Sequence, residues 1–311
     1  MRALQYDTFG GPDVLTLGEA DEPHAGPGEV RIAVEAAAVN PIDATLRSGA
    51  MAKPGRLLRA PRIPGFDAAG VVDEIGEGVQ GYEIGQRVFG AGTSVTAEHA
   101  TLTAFWRTPE GVSSEQGAAV VTVAETAARI LQALSAQEGQ VLVVDGASGG
   151  VGTALVQLAA ARGLHVVGTA SERKHELVRR LGGLPTTYGP GLAGRVRAVL
   201  EEAGLDDARL AADQLLGADL AGKGAAAELI ELTGDARRVV TIADFSGETD
   251  AIVSDGSEGR AWYALEEVAR LLTEGRFEVI IDRVLPWNQA AAAHEAVESG
   301  STTGKVVLRV E

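Results

Sequence analysis

Cysteine is absent from the 311 residues, and with it go disulfides, thiolate zinc sites and a cysteine nucleophile. The same absence says little about redox compartment. Positive charge is also scarce: 27 Lys and Arg stand against 43 Asp and Glu, a formal net charge of −16. That balance argues against a duplex-DNA partner or an anionic membrane surface, both of which need a basic face. A local basic pocket is compatible with it, so an anionic ligand stays open. The opening MRALQYDTFGG lacks the apolar stretch of a signal peptide, and no run reaches the length of a membrane span. A soluble, cytoplasmic protein is the expectation. With 45% hydrophobic residues the chain can bury a substantial core, and its length predicts two domains.

The first third reads as strands. EVRIAVEAAAV (29–39), AGVVDEIG (69–76) and QRVFGAG (86–92) are short, apolar and punctuated by Gly and Pro. GAAVVTVAETAARILQALS (117–135) has helical spacing. VLVVDG (141–146) is a short buried strand, TALVQLAAARG (153–163) a helix closing on glycine, LHVVGTAS (164–171) a second strand, and ERKHELVRRLGG (172–183) a further helix. Strand and helix alternating at this spacing predict an α/β fold, a parallel sheet with crossover helices. RRVVTIADF (237–245) reads as a later strand, and the end returns to strand, helix, strand through EVIIDRVLPW, QAAAAHEAVESG and GKVVLRV.

The turn Gly146-Ala147-Ser148-Gly149-Gly150-Val151-Gly152 follows a strand and opens a helix. Glycines allow a tight turn and close backbone approach, and a helix N-terminus offers free N–H groups to a pyrophosphate. An ordinary strand-to-helix turn packed with glycines is the bland alternative. At the end of the second strand an NAD site places Asp or Glu to accept from the ribose 2′-OH. Here Ser171 is followed by Glu172, Arg173 and Lys174. A hydroxyl and two cations suit a 2′-phosphate, so the expected cofactor is NADPH. A solvated helix face is the competing reading of the same residues.

FGGPDVL (9–15), AAAVNPIDATLRSG (36–49), PGFDAAGVVDEIGEGV (64–79), GQRVFG (85–90), GASGGVG (146–152) and GKVVL (304–308), in this order, resemble the medium-chain dehydrogenase/reductase superfamily. The likeness is to its zinc-independent quinone oxidoreductase (zeta-crystallin-like) and enoyl reductase branch. The resemblance implies a doubly wound Rossmann domain over 118–265. It also implies a GroES-like, β-rich catalytic domain over 1–117, to which 266–311 return. It places Asn40 near the nicotinamide ribose, Asp43 as its acidic neighbour and Thr126 at the nicotinamide. Lys174 and Tyr188 fall where relatives hold the 2′-phosphate, Ile242, Ala243 and Phe245 in a loop at the nicotinamide end, and Gly304 and Lys305 near the cofactor. It further implies a homodimer through the Rossmann edge around 237–250. Local roles compete: Asn40 before Pro41 can shape a turn, and Asp43 can cap a helix.

Two departures bear on mechanism. Zinc members of the superfamily carry a cysteine near the VNPID block and Gly-His-Glu where this chain has Gly65-Phe66-Asp67, so no metal site is expected. His175-Glu176 and His294-Glu295 lack the second histidine of a zinc-protease signature. Many relatives also place a tyrosine, a possible proton donor, where Thr45 stands here. The P-loop-like GADLAGKG (217–224) lacks the Ser or Thr that would meet magnesium, and Tyr263 has Glu267 rather than lysine four residues on. The implied reaction is hydride transfer from NADPH to a small-molecule quinone or enone in a cleft between the domains. An enoyl-thioester reductase and a non-catalytic NADPH-binding scaffold or sensor are the alternatives.

Overall fold

A computed structural model of the chain describes residues 1–53, 55–205 and 214–310. The chain divides into two compact units, one of residues 1–122, 265–275 and 279–311, the other of 123–264 and 276–278. Among the described residues no helix is long and apolar enough to cross a membrane.

The first unit is built on a six-stranded sheet whose spatial order is Ile281–Pro286, Lys305–Arg309, Val30–Val39, Asp67–Ile75, Arg87–Gly92 and His99–Arg107. Val30–Val39 also pairs with His99–Arg107, which closes four of the strands on themselves. Alternate residues Val30, Ile32 and Val34 point inward and pack with Val72, Val88 and Leu102, the period-2 pattern a half-buried strand imposes. The far end of Val30–Val39 is buried on both faces, because the C-terminal strand lies beside it. Helix Pro41–Ser48 follows at once. Asn40 takes the extended backbone that a residue before proline favours, and Pro41 occupies the first helical position, where its missing N–H costs nothing.

That helix carries Arg47, which is fully buried. Its guanidinium donates to the Gly10 carbonyl at 2.8 Å and pairs with Glu298 of helix Ala290–Glu298. His294, one turn earlier on the same helix, is also buried, and its Nδ1 and the Arg47 Nε both lack a partner among the described residues.

The second unit holds a six-stranded, wholly parallel sheet in the order Ile252–Val253, Val239–Thr241, Leu215–Asp219, Val141–Asp145, His165–Thr169, Leu184–Thr186. The fold is therefore the α/β doubly wound, Rossmann-like class, with the β-rich first unit beside it in sequence. Val141, Val143, Val167, Val196, Leu229 and Val239 form its core. Chain order reverses between Val141–Asp145 and Leu215–Asp219, the switch point where such sheets bind ligands beyond their carboxyl ends.

Two expectations from sequence are corrected. The strand read over 237–245 ends at Thr241, because the Thr241 hydroxyl takes the amides of Ala243 and Asp244 and turns the chain. It is also not the edge, since Ile252–Val253 pairs outside it. The helix read over 172–183 is a single 3-10 turn, Glu172–Lys174, followed by His175–Arg180.

Burial, with the nearby Arg47 charge, depresses His294 from 6.5 to about 4. The unfolded chain then binds the proton more readily, so stability is present above about pH 6.5 and lost as pH falls toward 4. Across that window the parent should lose roughly 3 kcal/mol more than His294→Gln in urea titrations run side by side. Asp43, whose pKa moves the other way, is common to both proteins and cancels in the comparison.

Candidate active site

In the first unit, three residues read from sequence meet. Asp43 closes the start of helix Pro41–Ser48: one carboxylate oxygen accepts the Asn40 amide at 2.8 Å, the other the Gly65 amide at 3.1 Å. Both oxygens are thus committed to the backbone, and the helix-capping role is realised. Burial, reinforced by the Asp67 charge, pushes this carboxyl up to about 7 against the lowering effect of its hydrogen bonds and of Lys305.

Lys305, 5% exposed, reaches across from the C-terminal strand. Its ammonium donates to the side-chain oxygen of Asn40 and to the Val39 carbonyl at 3.3 Å, and stands 3.6 Å from Asp67 Oδ2. Burial lowers its pKa, while Asp67 and Asp43 pull it back up. Asn40 Nδ2 donates to the same Asp67 oxygen at 2.9 Å, and the other Asp67 oxygen accepts from the Thr122 hydroxyl. Lys can only donate and an ionised Asp can only accept, so the Asn40 carboxamide is held in one orientation. Its second Nδ2 proton has no partner among the described residues.

Asp67 and Thr122 were not among the residues the sequence singled out. A carboxylate opening the apolar run DAAGVV is the signal that could have found Asp67, since a buried charge demands a partner. Thr45 is half-buried, and its hydroxyl donates to the Pro41 carbonyl at 3.0 Å. Gly304 has a φ of 76°, and a Cβ there would lie 2.1 Å from the Ile280 carbonyl oxygen, so no side chain fits.

In the second unit the remaining candidates gather at the carboxyl ends of the parallel strands. Strand Val141–Asp145 runs into the glycine turn, which opens helix Gly150–Ala161. Gly152 faces the turn itself; a Cβ would stand 2.2 Å from the Gly146 carbonyl oxygen. The N-cap, Gly149, offers no side chain to the first helical amides. Ser148, Gly149, Gly150 and Val151 are only partly covered, leaving an N-terminus open to an anion.

Asp145 and Asp219 end neighbouring strands as register partners. Each is bonded by a threonine from the strand beyond it. Thr169 donates to Asp145 at 2.6 Å while accepting the Gly146 amide at 3.0 Å, and Thr241 donates to Asp219 at 3.2 Å. Burial, with the Asp219 charge adding to it, raises the Asp145 carboxyl. Asp219 also accepts the Ala221 and Gly222 amides, so both pairs fix the loops around the open turn. Sequence reasoning passed over these four residues, although VLVVD and LLGAD each end an apolar strand on an acid.

Ser171, Arg173 and Lys174 line the 3-10 turn after His165–Thr169, with Arg173 exposed and Ser171 and Lys174 partly so. Tyr188 lies beyond Leu184–Thr186 with 62% of its surface exposed. Ile242 and Ala243 are partly covered and Phe245 is exposed, beyond Val239–Thr241. Thr126 is buried, its hydroxyl donating to Glu125 at 3.2 Å. Glu125 in turn accepts from Arg129, Arg260 and the Ala261 amide.

Residues 26–133 match the alcohol dehydrogenase GroES-like domain, and residues 195–308 match a domain described as zinc-binding dehydrogenase. Quinone oxidoreductase of Mus musculus is 30% identical over 330 residues, spanning 99% of this chain and 97% of that protein. The chain belongs to the medium-chain dehydrogenase/reductase superfamily, in its quinone oxidoreductase branch. Membership makes it an oxidoreductase. The quinone oxidoreductase of Rattus norvegicus is 28% identical over 99% of this chain and 97% of its own. The solved quinone oxidoreductase from Coxiella burnetii superposes with a TM-score of 0.75 at 25% identity, covering 100% of this chain and 99% of that one.

The zinc implied by the second domain's description finds no fitting donor set. The chain has no cysteine, Phe66 offers no ligand atom, and among the described residues no three His, Asp or Glu side chains are grouped as a metal requires.

In this oxidoreductase, Lys305→Met would leave Asp67 charged and buried without its cation. A loss of about 3–5 kcal/mol in urea unfolding is expected. Adding Asp67→Asn removes the stranded charge and should recover more than half of that loss.

Proposed function

We propose that this oxidoreductase is a zinc-independent, NADPH-dependent reductase of quinones or of alkenes conjugated to a carbonyl. The observation that carries the reading is the open glycine turn at the sheet's switch point, with Ser171, Arg173 and Lys174 at the end of the next strand. The uncapped helix N-terminus takes the pyrophosphate. Arg173 and Lys174 supply charge-assisted donors to a 2′-phosphate, with Ser171 and Tyr188 beside them. No carboxylate ends the strand His165–Thr169; Glu172 lies beyond it, in the 3-10 turn.

When bound, NADPH supplies a hydride from its nicotinamide ring. Hydride addition to a quinone or enone places negative charge on the carbonyl oxygen, and a positioned N–H donor stabilises such charge. The free N–H of Asn40, backed by Lys305 and Asp67, is a donor of that kind. The Thr45 hydroxyl proton is engaged by Pro41, so the completing proton comes from solvent. The curated relatives in mouse and rat named quinone oxidoreductase support the acceptor class. A homodimer would form through the sheet edge at Ile252–Val253, with Phe245 exposed in the loop that precedes that strand.

Steady oxidation of NADPH by simple quinones or enones is the expected result, measured at 340 nm over a panel of both. Absence of turnover on the whole panel, or stoichiometric zinc in the active protein, overturns the proposal. In the double variant Arg173→Ala, Lys174→Ala, KM for NADPH should rise roughly 10- to 100-fold while that for NADH changes less than about threefold. Equal effects on both cofactors would remove the 2′-phosphate assignment.

A further inference from the structure

Between Asp43 and Asp67 the chain carries Arg47, Lys53, Arg56, Arg59 and Arg62 and no carboxylate, within a protein of net charge −16. Arg47 is buried against Glu298. The other four are exposed, and none forms an ion pair among the described residues. The segment is tied at both ends. Ala52 donates to the Gly49 carbonyl at 2.8 Å beside the helix end, and Arg62 exchanges two backbone hydrogen bonds with Tyr6, at 2.9 and 3.0 Å. Between these ties, residues 56–62 line a cavity of about 660 Å³, within the size range of small-molecule sites. Leu57 is 83% exposed in the middle of it, and Met51 is 67% exposed just before.

Like charges held close together repel, and no ion pair among the described residues relieves these four. Three guanidiniums at every third residue offer paired N–H forks to several phosphate oxygens at once, a match that a single carboxylate cannot satisfy. An extended nucleic acid would meet the repulsion of the whole acidic surface, whereas a small polyanion meets only the local basic arc. The exposed leucine between the arginines calls for an apolar part on the same molecule.

We propose that residues 56–62 bind a small ligand combining two or more phosphate groups with an apolar chain. Arg56, Arg59 and Arg62 take the phosphates and Leu57 takes the chain. The site uses neither the glycine turn nor Asn40, and it stands whether or not the chain reduces quinones. Octanoyl-coenzyme A, a saturated thioester with nothing to reduce, is the probe, titrated calorimetrically into the whole protein with NADPH at saturation. Expected is one site per chain, weakened at least tenfold by Arg56→Gln, Arg59→Gln, Arg62→Gln together, and several-fold between 50 and 200 mM salt. Leu57→Ser should weaken octanoyl-coenzyme A more than adenosine 3′,5′-bisphosphate. All four positions are exposed, so the variants should unfold thermally like the parent. No binding by the parent, or binding unchanged in the triple variant, overturns the proposal. Titration of NADPH alone reports separately on the dinucleotide turn, so failure there leaves this outcome readable.

Discussion

A lysine ammonium buried beside an aspartate governs the first unit. Neither charge could stay there alone, since an isolated buried ion is far too costly. Together they bracket Asn40 from its two chemically different ends, and their complementary demands for a donor and an acceptor decide which way its carboxamide faces. Thr122 occupies the second oxygen of Asp67, and Val39 takes another ammonium proton. Asp43 then fixes the backbone on which Asn40 rides. The result is a side chain with one N–H committed to Asp67 and one without a partner among the described residues.

The second unit solves a different problem with neutral-to-acid pairs. A glycine turn is permissive by nature, and its usefulness as an anion cradle depends on what prevents it from collapsing. Here Thr169 grips the turn at the Gly146 amide and is itself anchored on Asp145. Across the switch point, Thr241 and Asp219 repeat the pattern and set the course of the loops that follow their strands. Burial and the Asp219 charge raise the cost of ionising Asp145, and the Thr169 hydroxyl offsets part of that cost.

Much of this was legible in one dimension. The glycine spacing, the apolar strand before it and the helical run after it located the strand–turn–helix unit over 141–161. The order of several short blocks identified the superfamily. Less legible was the end of Val239–Thr241, where the apolar pattern continued but a threonine hydroxyl captured the next two amides. The turn after His165–Thr169 also read as continuous helix, whereas its Lys174 amide bonds back to the Ser171 carbonyl at 2.8 Å in a 3-10 turn. Asp67 was seen as a departure from a metal-binding triplet, and its positive role as the partner of Asn40 and Lys305 was missed.

Sequence alone determined what depends on neighbours in the chain: strand and helix periodicity, the glycine turn, and the uninterrupted basic segment before Asp67. Those features rest on interactions spanning a handful of residues. Tertiary structure decided which polar groups share a buried site. Asn40 meets Asp67 across 27 positions and Lys305 across 265, and no local pattern encodes such distances. Burial also changed the chemistry of what met, lifting the carboxyl of Asp43 and lowering the ammonium of Lys305. Side-chain identity set the possible partners, and only the removal of water made those partnerships obligatory.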